Sequence, residues 1–249
     1  MKKILQNLKE NWITYGFETL VVILGILIAF GLNNWRDHQN ERALEKEYLE
    51  RLRIDFQENR KSINEHKRSE EYHIELAELL IDVVVNREDK YPVEKIAAAL
   101  EYTAYLPFLV NASKTYSDLI ATGNIRLIQN QVLADKISTY YSSFEGVNRT
   151  YNEWDQYKIK YRFSANSILG FKDRREVTMK YDREEFPDSL HIEISKTKLL
   201  QKIWSDPKLE ALIGDVLMTR EVQIVYFDFQ LNAVEEILRL LEEELDKYE

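Results

Sequence analysis

Residues 20–32, LVVILGILIAFGL, carry no charge. So oily a stretch admits three structures: a buried core helix, an export signal or a membrane span. On its own the run is too short to cross a bilayer, whose hydrocarbon core of about 30 Å takes roughly 20 helical residues. The helix can begin earlier, however. Trp12, Tyr15 and Phe17 precede the run and Trp35 follows it, the arrangement of an aromatic belt at each membrane interface. From 12 to 35 a helix is about 35 Å long, enough to span with both ends at the interfaces. A cleaved signal would need a short basic leader and a polar stretch before its small-residue site. Here the leader holds Glu10 and Glu18, and Ala29-Phe30-Gly31 lies inside the apolar run. No other segment is as hydrophobic. The expectation is an uncleaved anchor over residues 12–35, after a tail of residues 1–11 and before a body of residues 36–249, with the lipid bilayer as its partner.

Projected at 100° per residue, Glu18, Val22, Gly25, Ala29, Leu32 and Asn33 share one side of the span. This is the small and polar side of a cylinder otherwise built from Leu, Ile, Val and Phe. Gly25-x-x-x-Ala29 permits close approach of two spans, and Glu18 and Asn33 can hydrogen-bond across them. That reading makes the stripe the seam of a homo-oligomer or of a membrane complex. A second reading leaves Glu18 at the headgroups, about 9 Å beyond Trp12, and Asn33 at the opposite interface.

The body reads as all-α. The whole chain of 249 residues has 7 Gly and 4 Pro, too few for the turns of a sandwich or barrel. No Gly or Pro falls between residues 32 and 91. Leu44, Tyr48, Leu52, Phe56, Ile63, Leu76, Leu79 and Leu80 make a helical stripe there, with Glu47/Arg51, Glu50/Arg53, Glu58/Lys61 and Glu65/Arg68 outside it. A long juxtamembrane helix of coiled-coil type over residues 36–85 is expected, with a hinge along it. NREDKYP at 86–92 is a loop. A second helix is expected over residues 93–106, ended by Pro107. Ser113 is placed to cap a helix reaching Ala121, with Gly123 as its left-handed terminator. Residues 125–128 form a turn, and Asn130 caps a helix running to about Leu169, ended by Gly170. Residues 171–195 lack helical periodicity and suggest an irregular excursion with a weak strand at 190–194. Residues 196–204 are helical, and Asp206-Pro207 opens a last helix. Three or four long helices packed antiparallel is the economical fold.

A charge of −9 makes the chain a poor nucleic-acid binder, and residues 33–249 are more acidic still. Cysteine is absent, which removes disulfides, thiolate zinc sites and Cys nucleophiles. No Gly-x-Ser-x-Gly, phosphate loop or His-Glu-x-x-His occurs. His66, Glu70 and His73 lie at i, i+4 and i+7 on one helical face. Glu70-x-x-His73 is half of a di-iron carboxylate motif, but neither His38 nor His191 follows a Glu by three residues to supply the other half. The expected role of these three is a solvated charged face. The aromatic groups Tyr102/Tyr105/Phe108, Tyr140/Tyr141/Phe144 and Tyr226/Phe227/Phe229 read as core, with a ligand pocket between helices as the alternative.

GFETLVVILGILIAFGLNNWRD, followed by a charged helix, resembles the start of a family of small bacterial inner-membrane proteins known only as a domain of unknown function. TYSDLIATGNIRLIQNQVLADKISTYY at 115–141 is similar to that family's second recurring block. Where the family has Gly-Glu before the apolar run, this chain has Phe17-Glu18, with Gly16 one residue earlier. The resemblance implies a single-span anchor with a helical body and supplies no catalytic residues. The short basic N-terminus, with Lys2, Lys3 and Lys9, favours an inside N-terminus and a periplasmic body. The functional expectation is a non-enzymatic scaffold or accessory protein, without a cofactor, that self-associates or docks on a membrane complex. The alternatives are an extracytoplasmic ligand sensor and, least favoured, a metal-dependent enzyme.

Overall fold

The computed structural model describes residues 12–105, 110–180, 186–187 and 189–248; the side chains of 12–16, 18, 148 and 152 lie outside that description. Among the described residues there are seven α-helices and no strand. They are α1 (Trp12–Val84), α2 (Val93–Tyr102), α3 (Lys114–Thr122), α4 (Gln131–Ile168), α5 (Phe171–Met179), α6 (Lys196–Ser205) and α7 (Leu209–Leu245). Short 3-10 turns occupy Asn124–Leu127 and Asp246–Tyr248.

α1 is one helix of 73 residues, about 110 Å long, and it has no hinge. Its uninterrupted supply of helix formers explains this: nothing between 32 and 91 removes an amide donor or frees the backbone. Beyond the apolar run its buried positions step by three and four: Leu49, Leu52, Phe56, Asn59, Ile63, His66, Glu70, His73, Ala77 and Leu80. That is a heptad seam, sustained for more than four repeats.

α7 lies antiparallel to α1, as three cross-pairs show: Arg60 with Glu235 at 3.4 Å, Lys67 with Asp228 at 2.5 Å, and Glu70 with Arg220. α4 runs antiparallel to α7, with Lys136–Glu236 at 2.8 Å near one end and Lys158–Gln223 at 3.3 Å near the other. Three long helices therefore form the bundle. Residues 103–113 return along it without becoming a helix where they are described. α2 stops at Tyr102, earlier than Pro107 requires, and residues 106–109, with Pro107 and Phe108, lie outside the described residues.

Two apolar cores sit in series. The one nearer the apolar run joins Leu49, Leu52, Phe56 and Ile63 to Ile137, Tyr140, Tyr141, Phe227 and Leu241. The far one joins Leu76, Leu80 and Val83 to α2, Tyr161, Leu199, Ile203 and Ile213. Tyr140, Tyr141 and Tyr102 are core residues as the aromatic pattern predicts, whereas Phe229 is 66% exposed.

The caps follow the local chemistry. Gly123 has φ 71 and ends α3. Asn130 accepts from the Leu133 amide at 3.1 Å, and Ser195 caps α6. At α3, Ser113 occupies the cap position without a side-chain bond; Asp55 Oδ2, reaching over from α1, accepts from the Thr115 amide at 2.9 Å instead. At α7 the expected Asp206-Pro207 cap gives way to a turn: Asp206 Oδ1 accepts from the Lys208 amide at 2.9 Å, Lys208 is the N-cap, and the helix begins at Leu209, beyond Pro207.

The region expected to be irregular is in part a helix, α5; α4 ends at Ile168 just before Gly170, as expected, and Gly170 is the N-cap of α5. α5 shows no apolar period because it buries only Asp173 and Val177. The expected strand at 190–194 is absent. Leu190, Ile192 and Ile194 do alternate inward onto the far core, as a strand would. Their backbone pairs with side chains instead: Glu176 accepts from the His191 amide at 3.1 Å and Asp173 from the Glu193 amide at 2.6 Å.

Candidate functional site

The two apolar cores are separated by a polar layer in the middle of the bundle. α1 contributes Ser69, Glu70 and His73, α4 contributes Lys158, and α7 contributes Thr219, Arg220 and Gln223, all of them buried. His66, Glu70 and His73 are thus not a solvated face. The heptad seam passes through them: counting by threes and fours from Leu49 to Leu80 puts Asn59, His66, Glu70 and His73 at core positions. That signal was readable in the sequence, and the run of charged neighbours at 65–71 concealed it.

Arg220 organises the layer. Its Nη1 donates to Glu70 Oε2. Its Nη2 donates to the carbonyls of Thr103 at 2.9 Å and Tyr105 at 2.7 Å. Alongside, Arg162 donates to the Ala104 carbonyl at 2.8 Å and Tyr161 to the Leu100 carbonyl at 2.9 Å. A chain that leaves helical geometry inside a bundle exposes carbonyls that nothing regular will satisfy. Here α4 and α7 supply cations and hydroxyls to them. Further along the same crossing, Asn59 closes a two-way bond with Ala112, accepting from its amide at 2.6 Å and donating to its carbonyl at 3.0 Å. Tyr141 donates to that carbonyl at 2.9 Å.

The electrostatics follow from this geometry. Burial works against a charge on Glu70, but the Arg220 guanidinium and the Lys158 ammonium outweigh it and hold the carboxyl below its ordinary value. Burial and the adjacent Arg220 push His73 down to about 3, so the ring is neutral; it stacks on Tyr105 with centroids 5.4 Å apart. The same two causes bring Lys158 down to about 8. Glu70 Oε1 and Arg220 Nε have no hydrogen-bond partner among the described residues. Nor is there a group of three or more His, Asp or Glu placed to hold a metal ion among them. Glu70 is engaged by a guanidinium, and His66 and His73 turn Nδ1 to the carbonyls of Ser62 and Ser69 on their own helix.

The near end of the bundle is closed by a second polar cluster. Buried Glu45 accepts from the Gln129 amide at 2.7 Å, pairs with Arg42 at 2.8 Å and accepts from Tyr248 at 2.8 Å. A cleft of about 630 Å³ opens between α3 and α4 beside the stacked rings of Tyr116 and Tyr141, whose centroids are 4.4 Å apart; Asn111 and Glu145 supply its polar groups.

On the apolar part of α1, Val22 is 60% exposed, and Gly25, Ala29 and Asn33 are exposed as well. A Cβ built at Gly25 meets nothing within 4 Å, so nothing in a single copy requires glycine there. Asn33 donates to Asp37 at 3.0 Å along the same helix. Trp35 is exposed, while the side chains of Trp12, Tyr15 and Glu18 lie outside the described residues. α1 is the one helix among the described residues long and apolar enough to cross a membrane, and its apolar window is wholly unburied. No protein-family model, no curated protein and no solved structure matches the chain.

Proposed function

We propose that the chain is a non-enzymatic, single-pass membrane protein of the bacterial inner membrane. Its helical body is held at a set height over the bilayer, and copies associate through the Val22/Gly25/Ala29 side of the span. The observation that carries this reading is the continuity of α1. The bare apolar segment and the heptad seam of the bundle belong to one unbroken helix, so the body and the span move as one piece. Glycine inside a helix costs about 1 kcal/mol relative to alanine, and Gly25 confers no packing advantage within one copy; close approach of a second span would account for it. Among the buried charges, where catalysis would otherwise be sought, Arg220 is occupied in fastening Thr103 and Tyr105, and Glu70 in pairing with Arg220. The resemblance of the anchor block and the short basic N-terminus support an inside N-terminus and a periplasmic body. The test is the oligomer mass of the full chain in mild detergent. Gly25→Ile with Ala29→Ile should lower it; an unchanged mass refutes the span seam.

The cleft beside Tyr116 and Tyr141 favours a second reading, an extracytoplasmic ligand sensor that signals through a partner. A bound ligand would raise the melting temperature by mass action. A metabolite screen on the full chain that leaves the melting temperature unmoved removes it.

A further inference from the structure

α7 is apolar on two sides. Its inner side, with Val216, Phe227 and Val234, packs into the bundle. Its outer side carries Met218, Val222, Val225 and Phe229, exposed by 66%, 40%, 52% and 66%. At 100° per residue these four fall within a sector of about 60°, opposite the buried face. Their spacing, four, three and four, is that of a heptad seam. A helix apolar all round is normally buried all round, and among the described residues nothing covers this half.

We infer that the outer face of α7 is a docking surface for the same face of a second copy of this chain, in parallel register. The inference rests on the proposed membrane anchoring; the Val22/Gly25/Ala29 stripe lies on the opposite side of α1 from its bundle-facing residues Leu49, Leu52 and Phe56, so the copy met through α7 is not the one met through the span. Three observations favour a second copy over another partner. First, polarity and height match. Two copies anchored through α1 hold α7 in the same direction and at the same distance from the bilayer, so each residue of the stripe meets its own counterpart, as a parallel two-stranded seam demands. Second, charge permits it. The chain is acidic, at −9, and two such bodies repel over most of their surface. Beside this stripe the carboxylates are already neutralised within each copy: Asp228 by Lys67, Glu235 by Arg60 and Glu236 by Lys136. Of the acids left, Glu221 faces the partner's Tyr226 in parallel register, and exposed Asp215, one turn before Met218, meets its own counterpart as the single like-charge contact at the end of the stripe. Third, the area suits an anchored pair. Four such side chains present on the order of 400 Å² per copy, about half of the ~800 Å² per partner that a stable soluble interface buries. Confinement of both copies in one membrane raises their effective concentration and offsets that deficit.

The absence of native cysteine makes the test direct. Single substitutions Met218→Cys, Val222→Cys, Val225→Cys and Phe229→Cys, with Ile120→Cys and Val132→Cys as exposed controls on α3 and α4, are oxidised in the full chain in membranes. The four α7 positions should form disulfide-linked pairs roughly tenfold or more above the controls, and Val225→Asp should abolish the link at residue 222. Linking at α7 no better than at the controls overturns the inference, as does linking to a different polypeptide. Gly25→Cys separates the two ideas. If it links while α7 does not, self-association through the span stands and the α7 surface falls. If neither links and the chain runs as a monomer, the functional reading falls with it.

Discussion

Arg220 should be the most sensitive side chain in the bundle. Replacing it with methionine keeps most of its length and removes three bonds at once: one to Glu70 and two to the carbonyls of Thr103 and Tyr105. Breaking a buried ion pair from one side costs about 3–5 kcal/mol, because the remaining charge stays in low dielectric without a counter-ion. Each orphaned carbonyl adds about 1–3 kcal/mol where water does not reach it. These contributions overlap, so we expect a loss of at least about 4 kcal/mol, or roughly 10 °C in melting temperature for a chain of this size. Glu70→Gln is the informative comparison. It also leaves a buried charge, Arg220, without its counter-ion, but the amide oxygen can still accept from the guanidinium and both carbonyls keep their donor, so it should cost about 3 kcal/mol, the low end of the range for a broken pair. Glu70→Leu combined with Arg220→Met should recover part of the loss but not all of it, since the carbonyls remain without donors. The assay is denaturant unfolding of the full chain in detergent, followed by helical circular dichroism. If Arg220→Met costs less than about 1 kcal/mol, or no more than Glu70→Gln, then the carbonyls of the crossing do not depend on the guanidinium and the reasoning fails.

The same layer predicts how stability follows pH. His73 is held near 3 in the fold against 6.5 unfolded, so below 6.5 the unfolded chain binds the extra proton. Its contribution is complete above that value and fades as pH falls, by about 2 kcal/mol at pH 5; Glu70, lowered too, adds to the loss at more acid pH. The denaturant midpoint of His73→Gln, measured from pH 7 to 4, should fall less steeply than that of the parent; parallel curves would refute it. Lys158 gives the opposite wing. With a folded value of about 8 against 10.5, the fold sheds that proton first, so stability gains between pH 8 and 10.5. Subtracting the Lys158→Met curve from the parent curve should isolate that gain, and a flat difference excludes it.

Much of the architecture is visible in local chemistry. The αL glycine at 123 and the caps at Asn130 and Ser195 mark helix ends wherever a side chain bonds to its own first turn. Legibility fails where the bonding partner is far along the chain. Asp55 caps a helix 60 residues away, which no local motif records. α5 lacks an apolar stripe because its inward positions include Asp173, present to hold the amide of Glu193. The polar layer is the sharpest case. His66, Glu70 and His73 look like surface beside Arg68 and Glu71, although the spacing from Leu49 to Leu80 runs through them. Taking charge as a sign of exposure hid the site, because the cations that compensate Glu70 stand about 90 and 150 residues later, on α4 and α7.

α1 and α7 are among the first and last helices of the chain, and each is the other's main cover. Glu45 waits for Tyr248, and Leu49, Leu52 and Phe56 wait for the stretch from Phe227 to Leu245. At a synthesis rate of 5–20 residues per second, that gap of roughly 200 residues lasts about 10–40 s. Throughout it, a heptad-patterned helix stands with its seam bare, in reach of the same seam on any neighbouring nascent chain. Assembly of this protein is therefore a race between closing on itself and pairing too early, and the crowding of ribosomes on one messenger becomes a variable in its yield.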